Sequence, residues 1–437
     1  MLKAGFARLD ITPPLGITME GYYHERRASG MLDPLLASAV AFNDTQQTVV
    51  LVSLDVIGIN QSYMEECRNN AAQLCGLPSA AVFVACTHTH QGPVINDSMF
   101  EVDSFYCDLL KRRIADVVRI AIADLQPANL SIGRNAVQQI AFVRRFLMKD
   151  GSIRTNPGRR NPQVVRPIGE PDESVQLLKI TRDNADEILL VNFQVHPDVI
   201  SGNLFSADYP GFVRRTLEKT LDQVKCIYFN GAQGDLNHIN VNAPEWDANG
   251  GYDHSRHMGR SIAAAVLQIY DKAEPIKDDK IRCREDYLHV PTNKNLGKIS
   301  EAEQIIALHE AGKDDELPEY GMGITTLVAE AYRIKNLANG PDAISLRLVA
   351  VRCGDFAITG APGEPFNAIG RLVKAASPYA MTFYCCCANG YEGYFPTLEA
   401  YNEGGYEARS ARFKAGVAET LIEAGGEMLK SLSDGRP

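Results

Sequence analysis

The run Thr48-Val49-Val50-Leu51-Val52-Ser53-Leu54-Asp55-Val56-Ile57 is apolar at odd and even positions alike. Successive side chains of a strand point to opposite faces, so this segment stays out of water only if both its faces are covered. Residues 80–85 have the same character, and residues 61–75 between them read as a helix. Strands covered on both sides and alternating with helices define a layered α/β fold. Leu110, Ile114, Val117, Val118, Ala121, Ile122 and Leu125 keep the 3.6-residue period, so a long helix follows. Further strands are expected at 175–181, 187–195, 224–229, 281–290, 344–352, 356–358 and 380–387, and a helix at 255–270. Asp208 before Tyr209-Pro210 predicts another helix, with Asp as N-cap and Pro in the first turn.

Two segments break this rhythm. Residues 149–172 are rich in Pro, Gly, Arg and Asn and read as a long loop. Residues 296–339 are polar with two helical patterns, a helical hairpin inserted between strands, over the site or at an oligomer contact. Without a Ser/Gly linker, repeat or low-complexity tail, residues 1–437 read as a single domain.

A net charge of -10 argues against nucleic acid or an anionic membrane surface as partner. No apolar run approaches the length that spans a bilayer, so no stable membrane insertion is expected. The first residues lack the apolar region of a signal peptide. Of ten cysteines, seven stand singly and Cys385-Cys386-Cys387 lie in an apolar run, unlike a disulfide framework or a zinc knuckle. A cytoplasmic protein is the expectation, with a small-molecule substrate as its partner and room for a homo-oligomer.

Chemistry concentrates in Cys86-Thr87-His88-Thr89-His90-Gln91-Gly92-Pro93 at the end of an apolar run. In an extended chain, residues i and i+2 share a face, which sets His88 and His90 side by side. Such a pair binds a metal, or binds one and carries a proton beside it; it is also compatible with polar residues in a turn. His196 ends another apolar strand before Pro197-Asp198, and Glu364 follows a strand and a Gly/Pro turn at a helix start. Asn230-Gly231-Ala232-Gln233-Gly234-Asp235-Leu236-Asn237-His238 packs glycines with amide and acid side chains, where backbone N–H groups can approach a ligand.

Together these segments resemble the neutral/alkaline ceramidase family of zinc-dependent amidases. The resemblance runs from Ala4-Gly5-Phe6-Ala7-Arg8-Leu9-Asp10-Ile11-Thr12-Pro13-Pro14 through Asp33-Pro34-Leu35, Ser53-Leu54-Asp55-Val56, Thr87-His88-Thr89-His90 and Gly234-Asp235-Leu236-Asn237. It ends at Asn389-Gly390-Tyr391-Glu392-Gly393-Tyr394 and Gly404-Gly405-Tyr406-Glu407. It implies an α/β domain of two packed mixed β-sheets flanked by helices, with zinc held by His88, His196, Glu364 and Tyr394. His90, Arg144 and Tyr406 then match groups that polarise or hold the scissile bond. Tyr391 competes with Tyr394 for the ligand position. Arg144 is preferred to Arg145 because the family's arginine directly follows an asparagine, here Val143.

Two departures stand out. The family's catalytic-loop serine falls on Asn237, whose amide cannot form an acyl-enzyme and can only bind or orient. The sequence stops after a helix near 408–432, so no C-terminal immunoglobulin-like domain is expected. Zinc with an open position brings the pKa of bound water to about 7 and needs no serine. The expected function is therefore zinc-dependent hydrolysis of an amide in a small polar substrate rather than ceramide. An ester or glycosidic bond is the alternative, and a catalytically inactive binding protein of the same fold the third. Asp10, Asp33, Asp55 and Asp235 are candidates for fixing the imidazole tautomers, or for simple caps and turn residues at strand ends. Lys149, Arg159 and Arg160 are candidates for contacting an acidic substrate or for plain surface charge.

Overall fold

The computed structural model describes residues 1–95, 100–318 and 323–433. One mixed sheet of nine strands is built on β1 (Lys3–Asp10), β2 (Leu36–Asn43), β3 (Thr48–Leu54), β4 (Val82–Cys86), β5 (Gln126–Ala136), β6 (Ser174–Arg182), β7 (Glu187–Phe193) and β8 (Val224–Asn230). Its order is β8-β7-β6-β5-β1-β2-β3-β4, with Glu274–Pro275 added beside β5. The β7–β8 and β3–β4 pairs are parallel, the others antiparallel. A second mixed sheet contains β9 (Ile281–Pro291), β10 (Ala343–Cys353), β11 (Phe356–Gly360) and β12 (Met381–Cys385) in that order.

The sheets pack face to face: Phe42, Leu51, Phe83 and Leu190 of the first share a core with Val349, Val351, Ile358 and Phe383 of the second. Leu51 thus faces the other sheet, while Val50 and Val52 face α1 (Gln61–Cys75) and α2 (Ser104–Ala123). That is why the run through β3 is apolar at every position. Helices α3 (Asp208–Thr220) and α4 (Tyr252–Tyr270) cover the other half of the large sheet. Helices α5 (Ile299–Glu310) and α6 (Ile324–Asn339) pack on each other through Ile305, Ile306, Val328 and Ala331. The small sheet's outer face is closed by α7 (Asn367–Ala376) and α8 (Val417–Ser431). Local signals set boundaries where they are strong: the Asn60 side chain accepts from Tyr63 N–H at the start of α1, and Gly76 ends it at φ +66°.

Three local expectations are corrected. Asp208 is no N-cap: its backbone sits at φ +54°, and its buried carboxylate turns back to accept from the amides of Val199 and Ile200. Residues 149–172 are not all loop, since 153–155 and 164–167 pair on either side of 145–148. The helix expected near 408–432 is two pieces, Tyr406–Ser410 and α8, separated by 411–416.

Candidate metal centre

Strand β4 ends at Cys86, two residues before His88. His88 then adopts φ +70°, so the strand's alternation does not set the two histidines side by side. A left-handed turn, strained for a side-chain-bearing residue, does so instead, with ring centroids 5.1 Å apart. His90 is fixed from its backbone: its N–H donates to Pro197 O and its carbonyl accepts from Arg26. Gly21 lies against it so closely that a Cβ there would come within 2.8 Å of the His90 Cβ. His196 follows β7 and stands 5.0 Å from His88 and 5.6 Å from His90, centroid to centroid. One ligand atom from each of His88, His90 and His196 lies within 4.8 Å of the others.

Glu364 enters from the small sheet through the pair Glu364–Pro365 and Tyr394–Phe395. Gly234 makes this approach possible, because a Cβ there would sit 2.5 Å from the Glu364 carbonyl oxygen. The Glu364 Oε2 is 3.0 Å from His196 Nε2 and 3.4 Å from His88 Nε2, and its Oε1 accepts from the Tyr391 hydroxyl at 2.6 Å.

The tautomers are set by backbone carbonyls, not by the four aspartates. His88 Nδ1 meets Ile57 O at 2.7 Å and His196 Nδ1 meets Gln233 O at 3.0 Å. A carbonyl only accepts, so each Nδ1 carries the proton and each neutral ring turns a lone pair at Nε2 toward the carboxylate. Asp55 instead binds Arg214 at 2.9 and 2.5 Å, Asp235 accepts from Asn367, Asp33 holds Ser206 and Ala207, and Asp10 caps Thr12. They shape the loops carrying the site.

Three lone-pair donors aimed at one another require a cation between them. Both ring nitrogens of His90 and Glu364 Oε2 are buried without a hydrogen-bond partner among the described residues. Imidazole nitrogens with one carboxylate are an ordinary zinc donor set, so these residues fit a divalent metal. Without a metal a proton fills the role. Burial, the largest single effect, would lower His88, but the charge and hydrogen bond of Glu364 together with the Ile57 carbonyl and the neighbouring Cys386 leave it raised. Burial likewise opposes ionisation of Glu364, yet the two histidines hold it well below its usual range. His196 touches the same carboxylate but is lowered, by burial and then by the Arg144 charge. His90, through burial and then His88, falls to about 3 and stays neutral.

Tyr394 stands apart from this contact: its hydroxyl accepts from Arg144 Nη2 at 3.0 Å, and it is Tyr391 that touches Glu364. Arg144 also donates to Glu407 and to Gly234 O, both at 2.7 Å, while Arg145 turns to Glu403 and Gly404. The Tyr406 hydroxyl bonds that of Tyr23 at 2.7 Å, and its ring stacks edge-on with Tyr394. The Asn237 amide is engaged elsewhere, donating to Asn156 Oδ1 at 2.5 Å and accepting from Ile239 N–H. Arg159 binds the carbonyl of Pro244, Arg160 pairs with exposed Glu245, and Lys149 is exposed.

Sequence reasoning missed Glu20, Asp198 and Arg333. The Glu20 Oε2 is buried and unpartnered, and burial pushes the group up to about 7 against the Ile95 amide and the His88 charge. Asp198 lies 3.3 Å from His238 Nδ1 and exerts its charge on His90. Neither residue has a spacing that would single it out. A surface groove of about 690 Å³ along Asp10–Leu15 and Leu109–Arg113 lies apart and contains none of the centre's residues.

Residues 2–235 match the family described as neutral/alkaline non-lysosomal ceramidase, N-terminal. Among solved structures, the neutral ceramidase from Pseudomonas aeruginosa is similar at TM-score 0.75 and 19% identity, over 99% of this chain and 74% of that one. A structure described as "Ceramidase complexed with C2" is similar at TM-score 0.76 and 18% identity, over 99% and 75% of the two chains. No curated protein sequence matches.

Proposed function

This chain belongs to the neutral/alkaline non-lysosomal ceramidase family, and from that premise we propose that it is a zinc-dependent hydrolase cleaving an amide in a small polar substrate. The observation that carries the reading is the meeting of His88 Nε2, His196 Nε2 and Glu364 Oε2, whose lone pairs need a cation. His88, His196 and Glu364 would hold the metal; His90 and Tyr394 complete the set of nearby donors. Zinc, when bound, supplies Lewis acidity to a carbonyl and to water.

The chain's own residues supply the rest. The Arg144 guanidinium, locked by Glu407 and Gly234 O, stays charged and stands ready to stabilise an oxyanion. Neutral His90, whose ring nitrogens have no hydrogen-bond partner among the described residues, takes or returns the proton of the leaving group. Burial holds the Tyr406 phenol well above its ordinary range, so it keeps its proton and can donate a hydrogen bond to the substrate. Asn237 orients its loop. A polar substrate fits the buried charge of Arg144 and Glu364 better than an alkyl chain does.

All ten cysteines are free thiols, which suits a reducing cytoplasm. No helix among the described residues is long and apolar enough to cross a membrane.

Metal analysis of the purified protein, followed by a panel of N-acyl, ester and glycoside substrates with ceramide as comparator, tests the proposal. Stoichiometric zinc and preferred cleavage of a short N-acyl compound are expected. Absence of bound metal, or ceramide as the best substrate, would overturn it.

A further inference from the structure

Helix α6 points one guanidinium toward the tyrosines beside the metal centre. Arg333 Nη2 reaches the Tyr23 hydroxyl only at 3.5 Å, and its Nη1 is buried with no hydrogen-bond partner among the described residues. Several buried guanidiniums are treated differently: Arg68 pairs with Glu285, Arg144 with Glu407, Arg214 with Asp55 and Arg347 with Glu65, while Arg26 donates to the carbonyls of Gly202, Glu20 and His90. Arg333 forms no ion pair among the described residues. Its side chain is half-buried, and the Glu330 carboxylate three residues earlier on the helix acts on it without forming an ion pair, so the guanidinium is held loosely enough to take up an anion.

The surroundings show where that ligand sits. Tyr23 bonds Tyr406, whose ring meets Tyr394, whose hydroxyl meets Arg144. Tyrosines thus line the way from Arg333 to Arg144. Nη1 and the loosely held Nη2 present two parallel donors, a match for the two oxygens of a carboxylate. A single fork of this kind suits one carboxylate.

We propose that Arg333 is the specificity-determining residue of this site and that the substrate is a small N-acyl compound bearing a carboxylate, which the guanidinium binds. This rests on reading the adjacent centre as hydrolytic, but its test does not require turnover. Butyrate, which has no bond to hydrolyse, is titrated calorimetrically into the purified full-length protein beside uncharged butyramide and inorganic phosphate. Arg333→Met and Arg333→Lys serve as variants.

Butyrate should bind the wild type at least roughly tenfold more tightly than butyramide, as expected for hydrogen bonds to a charged group. Arg333→Met should lose that preference and Arg333→Lys should keep part of it. Equal binding of butyrate and butyramide, undiminished butyrate binding by Arg333→Met, or tighter binding of phosphate would overturn the assignment. If butyrate binds as expected and no amide is cleaved, the proposed reaction fails while the anion site stands.

Discussion

Replacing Glu364 by Gln removes the charge around which the centre is arranged while keeping an acceptor for the Tyr391 hydroxyl. In the metal-free protein, His88 carries a proton facing this carboxylate at 3.4 Å, and both side chains are fully buried. Breaking a buried pair by removing one partner costs about 3–5 kcal/mol, and the retained hydrogen bond favours the lower end, about 3 kcal/mol. The pH dependence follows from the directions of the two shifts. His88 is raised above its ordinary 6.5, so its contribution is complete below 6.5 and is lost as pH rises through the folded value. Glu364 is depressed below 4.5, so its contribution is present above 4.5 and is lost as pH falls through the folded value. The pair therefore stabilises the metal-free protein most between about 4.5 and 6.5. Urea unfolding at pH 5.5 should show the full deficit of the variant. At pH 8.5 the deficit should shrink or change sign, because the deprotonated ring then opposes its lone pair to the carboxylate. Metal displaces the same proton, so wild-type zinc affinity should rise up to about tenfold per pH unit while His88 is protonated and level off above. An identical deficit at both pH values would refute the account of a proton standing in for the metal.

His88→Ala should abolish both stoichiometric metal and activity, whereas His90→Ala should keep most of the metal and lose activity, as elemental analysis and turnover measured together would show. Arg144→Lys cannot reproduce bonds to Glu407, Gly234 O and Tyr394 at once, so kcat/KM should fall roughly 10²–10³-fold, with Arg145→Lys much closer to wild type. Asn237→Ala should lose less than about tenfold in rate, since its amide is engaged with Asn156 and Ile239; a loss of about 10²–10³-fold would make it an oxyanion donor after all. Asn237→Ser should yield no trappable acyl-enzyme by mass spectrometry, and a stable adduct would point to a disabled serine mechanism.

Much of the layered fold is legible in the sequence because burial on both faces leaves a continuous apolar signature, as in β3, and because α1 carries its own stop and start at Asn60 and Gly76. The short strands 153–155 and 164–167 are not legible, since Arg154 and Arg166 face solvent and only pairing with 145–148 orders them. His88, His196 and Glu364 can be found because they end strands or begin turns. Their orienting partners cannot, because the carbonyls of Ile57 and Gln233 belong to the backbone and leave no mark on residue type. Asp55 looked like a candidate for that task, yet its partner Arg214 lies 159 residues away on a helix whose docking no local pattern specifies. Arg333 reads as one more charge on an amphipathic helix until the fold turns it inward.

The histidines arrive from the large sheet and the glutamate from the small one, at a place where backbone bonds already stitch the two together: Cys86 N–H to Cys387 O, Asn389 N–H to Val84 O and Cys386 N–H to Asn230 O. The two layers consequently cannot slide past each other without pulling the centre apart. The α5–α6 hairpin has its own small core and contributes its arginine from outside, so substitutions within it can change what surrounds Arg333 while leaving the seam's backbone bonds untouched.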